Sequence, residues 1–163
     1  MALIPPGMDF VSELQNLRRV YVTATPRQRL RIIRQRLEDH HFGPNRLVTS
    51  VSAVEALART LTLRRGRPSK ADIEARYKQV RRTNPDVLVE QYLAAHGIAD
   101  PARFFDEDNW QLFLWAVKYR NLVVHECTYL GLDKFPALIE ACEAVLERLV
   151  EFAKVPDRND GYW

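Results

Sequence analysis

Apolar residues recur three and four positions apart along most of this 163-residue chain, and no stretch alternates apolar with polar residues over the length of a strand. That period predicts an all-α helical bundle. Phe10, Leu14, Leu17 and Tyr21 draw one stripe on a short first helix. Thr25-Pro26-Arg27-Gln28 reads as the next start, because the Thr hydroxyl and the Gln side chain can cap each other's backbone donors while Pro fits the first turn. The helix it opens buries Leu30, Ile33 and Leu37 among many arginines, and the Gly-Pro loop around 40–45 ends it. A third helix carries Leu47, Val51, Val54, Ala58 and Leu61 and closes in a basic turn, Arg64-Arg65-Gly66-Arg67.

Ser69 with Asp72 predicts another capping pair, for a helix through about Val80. Asn84-Pro85-Asp86 opens one more, ending near Gly97, and Asp100-Pro101 starts a short turn. Asp108 with Gln111 is the expected cap of a long segment from Asn109 to His125. That segment is apolar on most sides, which suits the middle of a bundle or a subunit interface. Asp133 is expected to cap the last helix, whose stripe runs from Phe135 through Leu149 to Phe152.

At 47% hydrophobic and 28% charged residues, the composition fits one domain with a core large enough to fold unaided. No apolar run approaches the roughly 20 residues of a membrane span. The first ten residues lack a basic start and a long apolar stretch, so no secretory signal is expected. Cys127 and Cys142 have no C-x-x-C spacing and read as reduced, buried thiols of a cytoplasmic protein. The formal charge of +3 hides an asymmetry: residues 1–82 hold 17 Lys and Arg against 7 Asp and Glu, and residues 83–163 hold 7 against 14. A basic half either meets a polyanion or meets the acidic half of this chain or of a second copy.

A polar cluster interrupts the most apolar helix: Lys118-Tyr119-Arg120-Asn121, then Leu122-Val123-Val124, then His125-Glu126. Burying Arg, Asn and His beside two Trp is costly unless each is paired, so the cluster is either a functional site or a structural hydrogen-bond network. At about 100° per residue, Asn121 and His125 share a face, whereas Arg120 and His125 diverge by about 140°. Arg120 and His125 meet only if the helix ends or bends near His125, or if a second copy brings its own cluster alongside.

The run Arg120-Asn121-Leu122-Val123-Val124-His125 resembles the signature of the HEPN domains, an Arg followed by a polar residue and, four to six positions on, a His. The long helix before it, the short loop after it and the Pro136-Ala137-Leu138 start of the closing helix fit that family too, and Ser52 to Arg59 is similar to its first core helix. The resemblance covers residues 104–155 and, loosely, 46–62. It implies a HEPN-like bundle over 46–155, with a basic helical extension at 1–45 and a frayed tail at 156–163.

It further implies a metal-independent endoribonuclease without cofactor, a toxin or phage-defence effector that cuts RNA at a site shared across a homodimer. His125 would then serve as general base or acid, since imidazole titrates near neutrality. Arg120 would hold the scissile phosphate in its fork, and Asn121 would orient the imidazole or the phosphate. Lys118 and the basic turn Arg64, Arg65 and Arg67 are the candidate RNA contacts. Members that pair with a nucleotidyltransferase antitoxin often carry Tyr two residues after the His; here that position is Cys127, and Tyr129 lies four residues on.

Other residues read more plainly. Asp39-His40-His41 has no further ligand spacing and fits a solvated loop better than a metal site. His96 before Gly97 suits a helix C-terminus, the arginines of 27–36 an exposed face or a phosphate contact, and Trp110 and Trp115 a core or an interface. Two other functions stay open. One is a non-catalytic helical module that dimerises or holds a partner protein or nucleotide; the other is a DNA-binding regulator using the basic N-terminal helices.

Overall fold

A computed structural model describes residues 9–38, 43–127 and 131–157, and among them the chain forms eight α-helices and no strand. These are α1 (Phe10–Val22), α2 (Pro26–Leu37), α3 (Pro44–Leu63), α4 (Lys70–Val80), α5 (Pro85–Ala94), α6 (Pro101–Phe105), α7 (Glu107–Glu126) and α8 (Phe135–Ala153). The all-α class is therefore observed. Asp39, His40, His41 and Tyr129 lie outside the described residues.

Helix α3 is the axis of the bundle. It packs against α2, α5, α7 and α8, and Leu47, Val51, Val54, Leu57 and Ala58 on it are fully buried. Facing them are Leu88 and Leu93 of α5, Phe113 of α7, and Phe135, Ile139, Val145 and Leu149 of α8, all without exposed surface. Burial of this apolar surface, at about 25 cal/mol per Å2, is what drives the helices together.

Two capping boxes form as the spacing predicts: Thr25 with Gln28, and Ser69 with Asp72. Two other starts differ. Helix α7 is capped by Asp106, which accepts from the backbone N–H of Asp108 at 3.0 Å and of Asn109 at 3.3 Å, so Asp108 already lies inside the first turn. A 3-10 turn, Leu132–Lys134, leads straight into α8, and Asp133 pairs with Lys134 at 3.3 Å instead of capping.

Part of the basic half meets the acidic half within the chain. Arg34 of α2 donates to Glu147 of α8 and, through Nε at 3.1 Å, to Asp157. These two carboxylates hold the Arg34 guanidinium protonated far above its ordinary range. Arg46 bonds Glu143 at 2.9 Å and the Leu37 carbonyl at 2.7 Å, which fastens the end of α2 and the start of α3 to α8. Asp157, at the start of the predicted tail, is thus anchored.

The apolar stripe of helix α1 stays half-exposed. Leu14, Leu17 and Tyr21 keep 45 to 51% of their surface. On helix α7, Trp110, Phe113, Ala116 and Val117 are buried, but Trp115, Leu122 and Val124 are 41 to 53% exposed, so of the two settings expected for this helix the middle of the bundle is not the one observed.

Candidate functional site

The last turns of α7 carry the sequence-predicted cluster, and their regular helical geometry decides which members meet. The helix continues through His125 to Glu126 and closes on Cys127 in the left-handed conformation at φ 48°. The α-helix is unbroken between positions 120 and 125, which at its ordinary period sets Arg120 and His125 about 140° apart around the axis. Within one chain the two do not meet.

Lys118 and His125, seven positions apart, lie within about 20° of one another, and Asn121 lies about 40° from His125. Lys118 and His125 are exposed and Asn121 is half-buried. One turn further back on this face, the Lys118 ammonium stands 4.6 Å from the centre of the Trp115 ring, a cation–π contact on an exposed aromatic surface. Leu122 continues the same face. The result is a solvent-facing strip of imidazole, amide, ammonium and indole groups.

Arg120 turns the other way, toward α3. Its Nη2 donates to Glu55 Oε2 at 3.3 Å, while Glu55 Oε1 accepts from Arg59 Nη2 at 2.5 Å. All three side chains keep only 19 to 21% of their surface. The Nε atoms of Arg59 and Arg120 are buried and find no acceptor among the described residues. Two guanidinium groups therefore share one carboxylate in a partly desolvated setting, which leaves an excess positive charge at the α3–α7 contact. Glu55 and Arg59 had no assigned role in the sequence reading; their i,i+4 spacing on a largely apolar helix was the signal.

The basic turn after α3 stands elsewhere. Arg64 donates to the Thr23 carbonyl at the end of α1, and its Nε is buried without a described acceptor. Arg76 of α4 donates to the carbonyls of Leu63 at 3.0 Å and Arg65 at 2.7 Å, so this arginine fixes the turn. Arg65 and Arg67 are exposed. Since Arg64 follows Glu55 by nine positions, the turn lies about 13 Å along α3 from the Glu55–Arg120 pair.

Cys142 lacks the setting of an activated nucleophile. Burial, with the Glu143 carboxylate beside it, pushes the Cys142 thiol up to about 12, whereas Cys127 is exposed, contrary to the expectation that both are buried. His96 donates through Nδ1 to the Tyr92 carbonyl at 2.9 Å and packs on the Tyr92 and Phe152 rings, as a helix-end residue does. Trp110 is core, stacked on Phe105. No group of three or more His, Cys, Asp or Glu side chains among the described residues could hold a metal ion, and no described helix is long and apolar enough to cross a membrane. No family model, curated protein or solved structure matches the chain.

Proposed function

We propose that this chain is a cytoplasmic, metal-independent endoribonuclease of the HEPN type, a toxin or phage-defence effector that works as a homodimer. The observation that carries the reading is the exposed strip on α7, where His125 shares a face with Lys118 and Asn121 beside exposed Trp115 and Leu122. RNA supplies what such a strip takes: phosphates for the ammonium and a 2′-hydroxyl for the imidazole. His125 takes the proton of the 2′-hydroxyl as its oxygen attacks phosphorus, or protonates the leaving 5′-oxygen. The products are a 2′,3′-cyclic phosphate and a 5′-hydroxyl. Arg120 and His125 point apart on one helix, so a phosphate held by both needs two copies of α7. The exposed Trp115, Leu122 and Val124 are the apolar surface that a second copy would cover.

A second reading, a non-catalytic module that dimerises or holds a partner protein such as an antitoxin, is favoured by one fact: Arg120 is already engaged by Glu55. Induced expression of wild type beside His125→Ala separates the two, with growth, total-RNA integrity and melting temperature recorded. Because His125 is exposed, its truncation is expected to leave stability unchanged. Growth arrest with RNA fragments in wild type alone supports the nuclease. Intact RNA in both strains supports the binding module.

A further inference from the structure

A cavity of about 390 Å3 opens between α1, α3 and α4, with α2 at its rim, away from the strip of α7 and linked to it through Arg59, which shares Glu55 with Arg120. That volume is within the range of small-molecule sites. Its charged groups are all cationic among the described lining residues: Arg18, Arg29 and Arg59. Arg29 is held in place from two sides, by Nε to Thr60 Oγ1 at 3.1 Å and by Nη2 to the Tyr21 carbonyl at 2.5 Å. Burial and the charge of Arg59 both press the Arg29 guanidinium toward losing its proton, so an anion between them would be stabilising to each. Among the described residues the carboxylate partner of Arg59 is Glu55, shared with Arg120, and the Arg59 Nε is buried without a described acceptor.

The rest of the described wall is uncharged: Tyr21, Tyr77 and Thr60, whose hydroxyl already accepts from Arg29, and beside them aliphatic side chains. Leu14 and Leu17 reach in from α1, and Ala56 and Leu63 from α3. Leu14 and Leu17 are the half-exposed apolar stripe of α1, surface that the protein itself leaves uncovered. No Asn, Gln, Asp or Glu side chain lines the cavity among the described residues, so the edge of a nucleobase would find no side-chain amide or carboxylate to read it. Cationic forks beside methylene-compatible walls match a particular chemistry.

We propose that this cavity binds an amphiphilic anion, its carboxylate or phosphate head between Arg29 and Arg59 and its alkyl body along Leu14, Leu17 and Leu63. Calorimetric titration of the full chain, below micelle formation, uses decanoate, decyl phosphate and decyltrimethylammonium as probes. Both anions are expected to give saturable one-site binding and the cation none; the tighter of the two anions identifies the head group. Arg29→Met is expected to weaken the anions by on the order of tenfold or more, since it removes a charged hydrogen-bonding fork. Ala56→Phe fills the cavity and is expected to abolish binding. Arg59→Gln repeats the test of charge should Arg29→Met fail to fold. Equal binding of the cation, no saturable binding of either anion, or unchanged anion affinity in a folded arginine variant overturns the proposal.

Discussion

The Arg120 guanidinium and the Glu55 carboxylate lie 3.3 Å apart across the contact of α7 with α3, and Arg59 takes the other oxygen of that carboxylate. One negative charge thus offsets two positive ones where each side chain has lost about four-fifths of its exposure. Such a triad is asymmetric in what its parts contribute: either cation can leave a balanced pair behind, but the anion cannot leave without stranding two like charges.

Glu55→Gln is accordingly expected to be the costliest single change in the triad, destabilising by about 2–3 kcal/mol, against about 1 kcal/mol for Arg120→Met. In the double variant the two losses are expected to fall short of their sum, because the repulsion that Glu55→Gln creates is relieved when Arg120 is gone. Urea unfolding of the four proteins measures the coupling. Additive losses would show that Glu55 and Arg120 do not interact in solution.

The contrast between Lys118 and Arg64 gives a second prediction, on binding. Lys118 is exposed on the strip with His125, whereas Arg64 is spent on the Thr23 carbonyl in a half-buried corner. Lys118→Gln is expected to weaken binding of a single-stranded RNA uniformly and to lower the slope of log affinity against log salt by about one, with stability unchanged. Arg64→Gln is expected to lower stability by about 1 kcal/mol and leave the salt slope alone. Fluorescence anisotropy at several salt concentrations, beside melting curves, checks both. The reverse pattern would move the RNA contact to the end of α3.

What could be read from the sequence was what is local. The boxes at Thr25 and Ser69 involve partners three positions apart, and both form. The cap of α7 is ambiguous in the sequence because three acidic residues stand in a row at 106 to 108, each able to cap; in the structure Asp106 accepts the first-turn N–H groups, with φ 79°, a backbone angle not legible in residue types. The divergence of Arg120 from His125 follows from helical period alone, and the structure keeps it because α7 stays regular. Glu55 is 65 positions from Arg120, so their pairing depends on how α3 crosses α7 and has no local trace. The stripe of α1 was legible too, but not what covers it: period says which residues share a face, and packing decides whether the core reaches that face.

Gly131 supplies a third prediction, on the 3-10 turn that leads into α8. It adopts φ 82°, and a Cβ built there would lie 2.6 Å from Cε1 of Tyr119. Gly131→Ala must therefore both strain the backbone and displace the ring, at an expected cost of about 2–3 kcal/mol. In a Tyr119→Leu background only the backbone part should remain, about 1 kcal/mol. Equilibrium unfolding of the two single variants and the double variant distinguishes the parts. Since Gly131 lies against the Tyr119 ring of α7, hydrogen exchange at 121–127 should quicken in Gly131→Ala.

The two cysteines make the last prediction, because their settings are opposed. Cys127 ends α7 in the open, while Cys142 is 1% exposed within α8. A disulfide-exchange reagent at neutral pH should label one thiol in the folded protein and two in urea. The raised thiol of Cys142 also carries a pH dependence whose sign is fixed. Above the ordinary thiol value of 9.0 the unfolded chain gives up this proton, while the folded chain keeps it until about 12. The folded state then binds more protons than the unfolded one, so stability falls as pH rises across that window, and is unaffected by this group below it. Cys142→Ala should cost about 1 kcal/mol at neutral pH for the lost packing, yet lose less than wild type between pH 9 and 11. Parallel stability curves for the two proteins over that range would mean that Cys142 is reached by solvent in the folded state.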